Sequence, residues 1–148
     1  MTAQELRFSL EQLTLLGRVG DFYALLRAID EAIPRDATLY LEGTSIASDV
    51  KAFLRSPPAP DPRTVEPGTL YPKPEAYHLP LADANLSELR AIAERFAEPD
   101  VADHLVVYRS QEVLLWAHDA GSGYVFVAAS LPTASIESLQ AILGDALE

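Results

Sequence analysis

Three short β-rich runs in the last third of the chain constrain its fold more than any other feature. His104 to Arg109, Glu112 to His118 and Tyr124 to Ser130 are rich in Val, Leu, Tyr, Phe and Trp, and only Ser110-Gln111 and Asp119 to Gly123 separate them. Links this short join neighbouring strands as hairpins, so the runs predict an antiparallel meander. The runs are also apolar at consecutive positions, as in Val106-Val107, Val113-Leu114-Leu115 and Phe126-Val127-Ala128. A sheet with one wet face would alternate, so something is expected to cover each face, by helices on one and by more helices or an identical subunit on the other.

Upstream, the pattern is helical with strands between. Leu6, Leu10, Leu13 and Leu16 recur at helical spacing, as do Phe22, Leu25, Leu26, Ile29 and Ile33 between Asp21 and Pro34. Two N-terminal helices are expected, the second capped by Asp21, whose carboxylate can accept from first-turn amides. Thr38 to Glu42 predicts a strand ended by Gly43. Thr44 or Ser45 is expected to cap a helix carrying Ile46, Val50, Phe53 and Leu54. Tyr77, Leu79 and Leu81 predict a strand at a sheet edge, because Pro80 cannot donate to a ladder. Asn85 and Glu88 have capping-box spacing ahead of a helix with Leu86, Leu89, Ile92, Ala93 and Phe96. Ile136, Leu139, Ile142, Leu143 and Leu147 mark a closing helix. The expectation is one α+β domain over 1–148, of order ααβαβαβββα, with a mostly antiparallel sheet of about five strands.

The 57–74 stretch holds seven of the eleven prolines and little apolar period, which predicts an extended surface excursion. Leu70, Tyr71 and Tyr77 in and beside it are candidate partner-binding anchors. The alternative is a loop that packs its own aromatics back onto the domain.

Composition narrows the function classes. A formal charge of −11 opposes nucleic acid and anionic membrane as partners. There is no cysteine, which removes disulfides, thiolate metal sites and cysteine nucleophiles. Neither a signal-peptide pattern nor an apolar run of membrane-spanning length is present, so a cytoplasmic location is expected. Nine Arg against two Lys fit a bacterial protein from a GC-rich genome.

Candidate chemistry is thin. A two-residue turn at Ser110-Gln111 would set Arg109 opposite Glu112 and Asp103 opposite His118, a His–carboxylate pair able to act as general base, with Arg109 holding an anionic substrate. A one-residue change of register would dissolve it. His78, His104 and His118, with Asp103, Asp119 or Glu42, are candidate metal ligands, although they fall on different strands without a ligand-pair spacing. Ser122 lies in a Gly-rich hairpin turn rather than a nucleophile elbow. Gly43-Thr44-Ser45 suits a helix cap better than a phosphate loop, since no Walker lysine follows. No cofactor is expected.

The element order over Asp21 to Ala32, Thr38 to Gly43 and Ala76 to Leu147 is similar to the roadblock and profilin-like α/β/α scaffold, with Ile46 to Arg55 and the proline-rich stretch as an insertion. That resemblance implies a dimeric, non-enzymatic regulator that binds proteins. The expected function is accordingly a cytosolic binding or regulatory module acting through protein–protein contacts and self-association as a homodimer. The alternatives are a small enzyme using His118, Asp103 and Arg109 or a histidine-bound metal, and an immunity- or antitoxin-type protein for a basic partner.

Overall fold

The computed structural model describes residues 13–18, 21–55, 74–96, 101–110, 112–117 and 123–143. Its elements, in chain order, are β1 (Leu13–Arg18), α1 (Phe22–Ala32), β2 (Thr38–Gly43), α2 (Ser48–Leu54), β3 (Glu75–Pro80), α3 (Asp83–Arg95), β4 (His104–Arg109), β5 (Glu112–Ala117), β6 (Tyr124–Ala128) and α4 (Thr133–Leu143). The strands form one six-stranded sheet of order β1-β6-β5-β4-β2-β3, with every neighbouring pair antiparallel. The mixed α+β class and the C-terminal meander agree with the sequence-based expectation.

The largest departure is at the N-terminus. Leu13 to Arg18 is a strand rather than the end of a helix, and it brings the expected sheet of about five strands to six. Leu13 and Leu16 fit a helical period, but Leu13 and Leu15 fit a strand period equally well, so tertiary pairing decides. β1 supplies partners to backbone groups of β6 that would otherwise lie at a sheet edge. The register slips between Leu15 and Gly17, where Gly17 adopts φ 154°, a conformation open to glycine.

Two caps also differ. Asp21 caps α1 as expected, accepting from the Ala24 amide at 3.2 Å. α2 starts at Ser48 behind Ala47, with no side-chain cap, because Thr44 is drawn away to Asp103. α3 starts at Asp83 behind Ala82, two residues before Asn85, whose amide donates instead to the Pro80 carbonyl at 3.0 Å. The expected capping box therefore does not form. β3 stands at the end of the sheet with Pro80 as its last residue, as the proline required.

Strand alternation and register place two lateral rows on one face of the sheet. Thr14, Val127, Leu115, Val107, Leu39 and Leu79 form the first, and Gly17, Val125, Ala117, Leu105, Leu41 and Tyr77 the second. Leu25, Leu26 and Ile29 of α1, Val50 and Leu54 of α2, Leu86, Leu89 and Ile92 of α3, and Leu139 and Leu143 of α4 pack into a single core with this face. All four helices of the described residues thus lie on the same side of the sheet. No helix among those residues is long and apolar enough to cross a membrane.

An ionic node ties the helix layer together. Asp30 of α1 accepts from Arg90 of α3 at 2.7 Å and from Arg35 at 2.6 Å, and Arg35 also reaches Asp83 at 2.7 Å. The Arg90 guanidinium lies 5.7 Å from the Tyr23 ring centroid. Burial alone would raise the Asp30 carboxyl, but hydrogen bonds and charge from Arg90 and Arg35 outweigh it and hold the group below its ordinary 3.8. The stabilisation is therefore complete above the ordinary value and is lost as pH falls through the depressed one. Asp30→Asn should cost about 1 kcal/mol at neutral pH for this near-surface node. In urea melts at stepped pH, the difference between wild type and variant should shrink below about pH 4.

Candidate aromatic face

The opposite face of the sheet has a different character. Leu15, Phe126, Trp116, Val106, Tyr40 and His78 are successive register partners across β1, β6, β5, β4, β2 and β3, so they form one lateral row spanning the whole sheet. Trp116 and Phe126 stack with ring centroids 5.4 Å apart and planes 25° from parallel. Tyr40 and His78 meet at 5.3 Å, tilted by 59°. The small cluster centred on Tyr40, Val106, Tyr108 and Val113, with Leu13 and Trp116 against it, contains no helix residue.

Exposure changes along the row. Val106 and Tyr40 in the middle are 3 % and 2 % exposed, whereas Leu15 at the β1 edge is 51 % exposed. Trp116 and Phe126 are half-buried, and Tyr124, opposite Arg18, is 53 % exposed. Leu15 and Tyr124 are the large hydrophobic residues that stand most open in the described chain, and both belong to the β1–β6 pair. The row is therefore closed in its middle and open at one end.

The other end of this face is polar yet buried. The Tyr40 hydroxyl donates to Glu42 Oε1 at 3.2 Å, and Glu42 and His104, partners in register, are 1 % and 4 % exposed. Burial, then the charge and hydrogen bond of Glu42, push the Tyr40 phenol well above its ordinary range. His78 Nδ1 lies 2.8 Å from the Tyr108 hydroxyl, and the two rings meet edge to face at 5.9 Å. Burial lowers the His78 pKa, which favours the neutral ring at physiological pH. Tyr40 and Tyr108 are spent on these contacts, and the cluster acts as a polar plug in the sheet face.

The residues proposed for catalysis are placed differently. Arg109 does stand opposite Glu112 across the turn at Ser110, whose φ of 55° suits a tight hairpin. Arg109 lies 3.5 Å from Asp36. A bulge between Val107 and Tyr108 then shifts the register by one, so that Leu105 faces Ala117, and the alignment that would set Asp103 opposite position 118 is not kept. Asp103 Oδ2 instead accepts from the Thr44 amide at 3.1 Å and the Thr44 hydroxyl at 3.2 Å, while its own amide donates to the Glu42 carbonyl at 2.8 Å. It clamps the end of β2 to the start of β4. His118 lies outside the described residues.

His78 and His104 share the face opposite the described helices, on β3 and β4, with β2 between them. Among the described residues no group of three or more His, Cys, Asp or Glu is placed to hold a metal ion. Leu70 and Tyr71 lie outside the described residues. Tyr77 is half-buried against the helix-side core, and its hydroxyl donates to Glu75 Oε2 at 2.7 Å. Lys51 of α2 reaches Glu75 Oε1 at 2.6 Å, so α2 and β3 are bridged through this carboxylate. Tyr77 is thus turned toward its own domain. The aromatic row had no signal in the sequence beyond consecutive apolar residues, because register alone brings its members into line.

Three outcomes follow from these contacts. Asp103→Ala should lower stability by about 1–2 kcal/mol in chemical denaturation, since a carboxylate accepting from a backbone amide is lost, while Asp103→Asn should cost less. In an NMR titration the His78 ring should protonate below its ordinary 6.5, so the folded chain takes up fewer protons than the unfolded one and stability falls with acidification below that value. Tyr108→Phe should cost about 1 kcal/mol and change the His78 titration. Comparison with protein-family models, with curated proteins and with solved structures finds no match to this chain.

Proposed function

We propose that this protein is a non-enzymatic binding module that acts through protein–protein contacts, with the helix-free face of the sheet as its contact surface. The observation that carries this is the open end of the aromatic row: Leu15, Phe126 and Trp116 side by side, with Tyr124 exposed beside them, on a face that no helix of the described residues covers. Aromatic side chains on a rigid sheet supply large contact area at low conformational cost, the composition found at the centres of protein interfaces. Exposed apolar area of this kind is costly in water unless a partner removes it.

The enzymatic alternative draws little support from the same geometry. Asp103 is engaged with Thr44, Arg109 stands beside Asp36, and the buried Tyr40–Glu42 and His78–Tyr108 contacts sit within a packed face. A general base needs access to a substrate proton, which such packing opposes. The −11 charge keeps the basic-partner alternative in view, and the sign of the salt effect on binding separates it from apolar contact.

The absence of cysteine makes single-cysteine cross-linking clean. Leu15→Cys carrying a photo-cross-linker should give protein adducts in lysate of the native cell, and the same label at the exposed Ala91 of α3 should give none. Equal labelling from both positions, or from neither, would sink the assignment of the contact face.

A further inference from the structure

We draw no further inference here: the strongest candidate, the open apolar end of the sheet face opposite the described helices, at Leu15, Phe126 and Trp116, belongs to the contact surface already described, and nothing in the structure shows what covers it.

Discussion

The pairing of β2 with both β3 and β4 is the constraint on which the rest of the structure depends. Leu39 and Leu41 are completely buried and have register partners on each side, Val107 and Leu79 for one, Leu105 and Tyr77 for the other. Through β2 the C-terminal meander and the N-terminal half share one sheet and one core. Asp103 reinforces the junction twice, by its amide on the Glu42 carbonyl and by its carboxylate on Thr44. A chain without disulfides must hold such a long-range junction by burial and hydrogen bonds alone, and the leucines of β2 supply the larger share.

Once β2 is central, the two faces of the sheet are committed to different tasks. Every helix of the described residues lies on the same side, so Leu39, Leu41 and their neighbours face the helices and Tyr40 and Glu42 face away. Tyr40, Tyr108 and Val106 are nonetheless buried, and the hydroxyl and carboxylate there are hydrogen-bonded within the cluster, as buried polar groups must be. Moving outward to β5, β6 and β1, the polar partners give way to Trp116, Phe126 and Leu15, and the face opens. The gradient from a sealed polar plug to an open apolar end is what distinguishes this face from an ordinary solvent-facing sheet, and it is why contact with protein is the function proposed.

The two edges of the sheet are guarded by different means. β3 ends at Pro80, begins at a Glu75 engaged by Lys51 of α2, and offers little to an incoming strand. β1 carries Thr14 and Leu15 exposed, with a bulge at Leu15 to Gly17 that twists the edge and discourages simple strand addition. Both edges thus oppose strand addition, which supports the proposal of contact through the face.

Local pattern was enough for much of the fold. Gly43, Pro34 and Pro80 punctuate the chain where a backbone restriction acts within a residue or two; Asp21 caps α1 because its carboxylate lies within reach of Ala24; the meander is legible from its short links. The failures share a cause. Leu13 to Arg18 became a strand because β6 offered it an edge, Thr44 left its helix because Asp103 lies 59 residues away in sequence but adjacent in space, and the Asp103–His118 alignment was lost to a bulge between Val107 and Tyr108. Composition and periodicity alone determined the α+β class, the acidic charge, the absence of thiol chemistry and the position of most elements. Only the tertiary structure decided strand order, the one-sided helix layer and the aromatic row, since register is set by pairs of residues far apart in the chain and a slip of one residue exchanges the faces of a strand.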